Sequence, residues 1–244
     1  AAIRNNVIGT YNLINNAIRH RVPRLIMLST DKAVNPASIM GVSKRVAELM
    51  MLALSSPQCR LTSVRLGNVL GTQGSVVPRF EEQIRRREPV TVTHPDAARF
   101  FMTADGAVEL VLAAAWLGTG GDILVPDLGE PIRIIDLANT MIDAAGLDPG
   151  CQPSITFTGL RPGEKIREEL FTDAEQDFPD ALSNVTRVTA PAMPGSQVHT
   201  LIGEISDLAA ASDLRNLIAK LREIVPEYQP NDVLTGILPC LAVT

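Results

Sequence analysis

Apolar residues recur at helical spacing from the start of the chain. Ile3, Val7, Leu13, Ile14, Ala17 and Ile18 predict a helix over about residues 2–20. The period then changes. Leu25-Ile26-Met27-Leu28 and Leu61-Thr62-Ser63-Val64 are short and lack an exposed polar face, which predicts buried parallel strands at 24–29 and 61–66. Helical spacing returns at 38–54, 76–87, 104–117 and 133–145, with further strands at 90–93 and 122–126. Strands alternating with helices predict an α/β layer structure with right-handed crossovers. Beyond Gly146, Pro and Gly become frequent and elements short, as in a small irregular lobe. Glu204 to Tyr228 reads as one or two amphipathic helices.

Composition narrows this picture. A chain of 244 residues, 45% hydrophobic and 20% charged, can bury a sizeable core. The net charge is -5 with both signs interspersed, and there is no basic run with interleaved aromatics, so no nucleic-acid partner is expected. No apolar stretch reaches transmembrane length and no secretory signal is present, so no membrane contact is expected from these residues. Cys59, Cys151 and Cys240 are odd in number and far apart, which points to a reducing, cytoplasmic setting rather than disulfides or a metal. His20 and His199 have no partners at metal spacing, and no metal is expected. His94 is expected to be structural.

The chain opens inside a helical pattern with no cap before it, which reads as a piece of a longer protein. A dinucleotide-binding half would show a strand, G-x-G-x-x-G and a helix in succession, and these residues hold no such run. Gly118-Thr119-Gly120-Gly121 follows a helix and precedes a strand, so it reads as a helix cap and turn.

The chemistry concentrates between Leu28 and Arg45. Ser29-Thr30-Asp31-Lys32 follows a strand directly, where open α/β sheets place their ligands. A hydroxyl, a carboxylate and an ammonium there suit proton transfer on one bound molecule; a surface ion pair is the plainer reading, and the four residues alone leave both open. Met40 and Lys44 stand four apart and share a helix face.

Other motifs stand around this segment in fixed order. Asn6-Val7-Ile8-Gly9-Thr10 precedes it, and Arg65-Leu66-Gly67-Asn68-Val69-Leu70-Gly71 follows. Thr91-Val92-Thr93-His94-Pro95, Arg99-Phe100-Phe101-Met102 and Leu160-Arg161-Pro162-Gly163-Glu164-Lys165 come later. Together they resemble the nucleotide-sugar 4,6-dehydratases and epimerases of bacterial polysaccharide biosynthesis, a branch of the extended short-chain dehydrogenases, over about residues 2–228. Methionine at position 40, where most of that superfamily has tyrosine, resembles the large membrane-anchored members.

The resemblance implies a fold: the C-terminal portion of a Rossmann-like doubly wound parallel sheet plus a small α/β substrate-binding lobe. Residues 1–150 would form an incomplete NAD-binding domain with interleaved lobe segments, 151–230 the lobe and C-terminal helices, and 231–244 a tail. It implies NAD rather than NADP, a UDP-sugar substrate, a homo-oligomer, and a parent protein anchored at the inner membrane with this domain on the cytoplasmic side. By the same resemblance, Thr30 hydrogen-bonds the sugar 4-hydroxyl, Asp31 is the acid toward the departing 6-hydroxyl and Lys32 the base at C5. Lys44 holds the nicotinamide ribose. Ser29, Leu66, Gly67 and Val69 border the cofactor. Asn68, Arg99 and Arg161 approach the diphosphate, and Glu164 the ribose or sugar hydroxyls. Met40 carries no proton, so the group that takes the first one is open. The isolated chain is expected neither to bind NAD tightly nor to turn over. An epimerase and a non-catalytic nucleotide-sugar binding subunit are the competing readings.

Overall fold

The computed structural model describes residues 1–72, 74–148, 150, 152–179, 184–191 and 193–230. Cys151, Cys240 and the expected tail lie outside the described residues. The chain opens with π-helical turns over Ile3–Gly9 that run directly into α1 (Thr10–Arg19). There follow β1 (Arg24–Thr30), a 3-10 turn (Asp31–Ala33), α2 (Ile39–Leu54), β2 (Arg60–Leu66), β3 (Asn68–Val69), α3 (Val76–Arg85) and β4 (Val90–Val92). Next come β5 (Ala98–Arg99), β6 (Phe101–Met102), α4 (Ala104–Leu117), β7 (Asp122–Pro126), β8 (Ile132–Arg133) and α5 (Ile134–Ala144). The last are β9 (Ile155–Phe157), β10 (Gln176–Pro179), β11 (Val185–Thr189), α6 (Gly195–Ala210) and α7 (Leu214–Ile224).

These elements form two compact units that interleave along the chain. The first takes residues 1–66, 109–127 and 169 onward; the second takes 67–108 and 128–168.

The first unit is a five-stranded sheet in the order β1-β2-β7-β11-β10. β1, β2 and β7 are parallel, and β11 and β10 continue the sheet antiparallel. α1, α2, α6 and α7 cover one face, where Ile14, Val46, Met50, Ile202 and Leu221 are buried together. On the other face, Leu110 and Ala114 of α4 pack on Val64 and Leu124. This is the mixed α/β, Rossmann-type architecture expected.

Two details differ from expectation. β1 was expected to be buried on both faces, yet Leu28 is 49% exposed. Among the described residues β1 pairs only with β2, so it is an edge strand and its burial is that of an edge. Residues 151–230 were expected to form a lobe and C-terminal helices, yet β10 and β11 join the main sheet and α6 and α7 pack on its face. Strands of four and five residues in a Pro-rich context give little periodicity, and their partner β7 is distant in sequence. α6 also starts at Gly195 rather than near Glu204, because Val198 and Ile202 already belong to the buried face.

The Gly118–Gly121 run forms the expected turn. Gly120 and Gly121 have φ of 88° and 72°, a conformation that costs glycine nothing. Asp122 accepts from Thr119 N–H and Thr62 Oγ1 at 2.8 and 2.7 Å, closing the turn on β2.

The second unit is built from two-stranded pairs: β3 with β6, β4 with β9 and β5 with β8. Its core sets Phe80 and Ile84 of α3 against Val90, Val92, Ala138 and Ile142. Most of its strands are two or three residues long, too short for a sequence pattern to reveal. No helix among the described residues is long and apolar enough to cross a membrane.

Candidate functional site

In the first unit, the candidate residues gather at the carboxyl end of β1. Thr30 is its last residue and stands beside Leu66, the last residue of β2, in the parallel register. The chain then turns tightly. Thr30 Oγ1 accepts from Lys32 N–H at 3.4 Å and donates to Asp31 Oδ1 at 2.9 Å. Lys32 Nζ donates to the same Oδ1 at 2.9 Å. The Asp31 side chain is 0% exposed while that of Lys32 is 30% exposed. Asp31 Oδ2 is buried without a hydrogen-bond partner. The surface-pair reading therefore fails. A carboxylate withdrawn from solvent and short of one hydrogen bond is costly unless it serves a purpose.

Helix α2 supplies the next residues. Its N-cap is Ser38, whose Oγ accepts from Gly41 N–H at 3.0 Å. Met40 lies in the first turn and is 40% exposed. Lys44, one turn on, reaches back to β1 and donates to the Leu28 carbonyl at 3.0 Å. Burial pushes the Lys44 ammonium down, and Glu48 one turn further partly restores it. An ammonium has three donors, so two remain for a ribose.

Gly41 fixes how closely α2 approaches the turn. A Cβ there would lie 2.3 Å from the Lys32 carbonyl oxygen, which is backbone and cannot swing aside. Gly41→Ala should therefore displace the Lys32 turn and cost about 1–3 kcal/mol, as overpacking does. Gly203→Ala on α6, where nothing lies within 4 Å, should instead stabilise by up to about 1 kcal/mol. Thermal melts of the two variants check the contrast. A neutral Gly41→Ala would show that the turn is not held by this contact.

Behind β1 lies a buried charge cluster that the sequence reading missed. Ser29 Oγ does not share the Thr30 cluster; it donates to Glu48 Oε1 at 2.6 Å. Arg65 grips Glu48 with two bonds of 3.0 and 2.8 Å, and donates to Glu175 at 2.9 and 2.6 Å. Arg45 reaches Glu48, Glu175 and Glu227 at 3.0, 2.8 and 3.0 Å. Burial alone would push the Glu48 carboxyl up, but Arg65, Arg45 and the Ser29 hydroxyl hold it below the usual carboxylate range. Burial likewise opposes ionisation of Glu175, and Arg65 and Arg45 again win. The signal was present: Arg45 and Glu48 interrupt an apolar helix, and Arg65 interrupts an apolar strand.

In the second unit, Asn68, Arg99, Arg161 and Glu164 line one cavity of about 200 Å³. They come from β3, β5 and the 161–164 loop, so only the fold brings them together. Arg99 is 5% exposed and donates to Glu164 Oε1 at 2.6 Å and to the Ala98 and Ile166 carbonyls at 2.8 and 3.0 Å. Glu164 Oε1 also accepts from Thr93 Oγ1 at 3.0 Å, and Oε2 from Arg161 N–H at 3.1 Å. Glu164 is thus the organiser of the loop. Arg161 is exposed. Gly67 lets the chain pass Phe100: a Cβ there would lie 2.9 Å from the Phe100 carbonyl oxygen. Val69 lines a neighbouring cavity of about 250 Å³ with Asn68. His94 Nδ1 accepts from Asp96 N–H at 3.1 Å, the structural role expected of it.

A family model described as polysaccharide biosynthesis protein matches residues 1–190, most of the chain. The chain belongs to the polysaccharide biosynthesis protein family. As a member, it is 46% identical over 176 residues to the capsular polysaccharide biosynthesis protein CapD of Staphylococcus aureus, covering 71% of this chain and 29% of CapD. It is 38% identical over 192 residues to a UDP-glucose 4-epimerase of Rickettsia rickettsii, covering 77% of this chain and 54% of that protein. Among solved structures, Pen from Bacillus thuringiensis matches with TM-score 0.67 at 32% identity, over 78% of this chain and 59% of that one. The family member thus spans less than a third of CapD and about half of the epimerase.

Proposed function

We propose that this family member contributes the reacting groups and diphosphate-binding residues of an NAD-dependent UDP-N-acetylhexosamine 4,6-dehydratase. The observation that carries the reading is the buried Asp31 sharing one carboxylate oxygen between Thr30 and Lys32 at the end of β1. A simple C4 epimerase moves a hydride and a hydroxyl proton and has no use for a second acid–base pair. Elimination needs both a base at C5 and an acid for the departing hydroxyl.

The nicotinamide, when bound, supplies the hydride acceptor for C4 and the donor for C6. Lys44 fits its ribose, since two of its three donors are uncommitted. Thr30 Oγ1 orients the 4-hydroxyl. Once C4 is a ketone the C5 proton is acidic, Lys32 Nζ takes it, and Asp31 gives a proton to the 6-hydroxyl so that water leaves. The proton that Asp31 gives is the 4-hydroxyl proton, relayed through Thr30 Oγ1, and Lys32 returns its own proton to C5 as hydride reaches C6, so both groups end as they began. Arg161 holds the diphosphate through its guanidinium fork, and Arg99, its donors committed to Glu164 and two carbonyls, forms the wall of the same cavity.

The epimerase reading has its own support, the 38% identity to a UDP-glucose 4-epimerase. Product analysis separates the two. The full-length protein should convert UDP-N-acetylglucosamine to a product lighter by one water. An isomeric product of unchanged mass would overturn the dehydratase reading.

A further inference from the structure

The cavity of the second unit holds a third arginine that no motif singled out. Arg79, from the second turn of α3, lines it together with Arg161 and Arg99. Three guanidiniums face one carboxylate there, and that carboxylate, Glu164, is already committed to Arg99. The Arg79 and Arg161 guanidiniums meet no acceptor among the described residues. The cavity therefore carries two uncompensated positive charges on exposed, planar donors.

Two like charges sharing a cavity repel unless an anion lies between them. A sugar ester of a nucleoside diphosphate carries two negative charges, one on each phosphate. We propose that Arg79 is a phosphate ligand of this cavity, paired with Arg161, so that the site matches the two charges of a nucleoside diphosphate ester. Arg99 is fastened by three bonds to the loop and to its own strand, and sets the cavity wall; Arg79 and Arg161 are free to close on the phosphates. This inference rests on the nucleotide-sugar reading above and adds a residue to it.

Calorimetric titration with UDP-N-acetylglucosamine in phosphate-free buffer tests it. Arg79→Gln should weaken binding roughly tenfold, the loss of one charge-assisted contact. Arg79→Lys should recover part of that, since the charge returns without the fork. Arg85→Gln, on the same helix but paired with Glu82, should leave affinity unchanged. Arg79 is exposed, so the melting temperature should not move with any of these changes. If Arg161→Gln loses affinity and Arg79→Gln does not, Arg79 is no ligand and the nucleotide-sugar reading stands. If the parent protein does not bind UDP-N-acetylglucosamine at all, both fall.

Discussion

Lys32→Ala in the full-length protein should abolish dehydration, with turnover down roughly 100- to 10,000-fold, the usual worth of a positioned acid–base group. The expectation follows from geometry. Lys32 Nζ is the partly exposed member of a pair whose other member is wholly buried. Substrate can reach the amine, and Asp31 Oδ1 at 2.9 Å holds it in place. Lys32→Arg sharpens the test. It keeps a cation beside Asp31 but offers no usable base, so it should be about as inactive as the alanine variant. Substrate affinity should change little in either. Should Lys32→Arg turn over a UDP-sugar at close to the parent rate, the ammonium would be an electrostatic partner and the base would lie elsewhere.

Glu48→Ala should be the most destabilising single change in the first unit, costing about 3–5 kcal/mol. The carboxylate is fully buried and accepts from Arg65, Arg45 and Ser29. Its removal strands two buried guanidiniums with less charge to balance them. On a domain of this size the melting temperature should fall by roughly 10 °C. Glu82→Gln, on an exposed helix face, should stay within about 0.5 kcal/mol. The sign of the pH effect follows from the same cluster. The folded carboxyls of Glu48 and Glu175 are held below their ordinary value of 4.5. They contribute stability above that value and lose it as pH falls through their lower folded values. Acid unfolding of the parent should thus begin below about pH 4.5, and Glu48→Ala should show a shallower acid limb. Chemical denaturation between pH 7 and 3 measures both; equal limbs would mean that the cluster does not govern acid stability.

How much of this was legible beforehand depends on sequence distance. The strand–turn–helix from Arg24 to Leu54 was readable because each of its signals is local: an apolar run, a polar tetrapeptide and a helical period. The Gly118–Gly121 turn was readable for the same reason. The resemblance added roles to Thr30, Asp31, Lys32 and Lys44, but not the geometry that joins the first three through one oxygen. The return of residues 176–224 to the main sheet and helical layer was not readable. β11 finds its register on β7 only after the chain has passed through the second unit, and the five residues Val185-Thr186-Arg187-Val188-Thr189 do not name their partner.

The charge cluster and the arginine cavity mark the same boundary. By itself the sequence determined the α/β class, the order of the parallel strands' segments and the polar turn that follows β1, because near-neighbour periodicity and steric rules act within a few residues. Only the tertiary structure decided that Glu48 meets Arg65 and Glu175, that Ser29 faces inward while Thr30 faces Asp31, and that Arg79 shares a cavity with Arg161. The reason is electrostatic. A charged residue reads the same in sequence whether water or a distant partner solvates it, and the partner is chosen by packing. Asp31-Lys32, adjacent in the chain, were visible from the start; that Asp31 is sealed from water, which turns an ordinary pair into candidate chemistry, belongs to the fold alone.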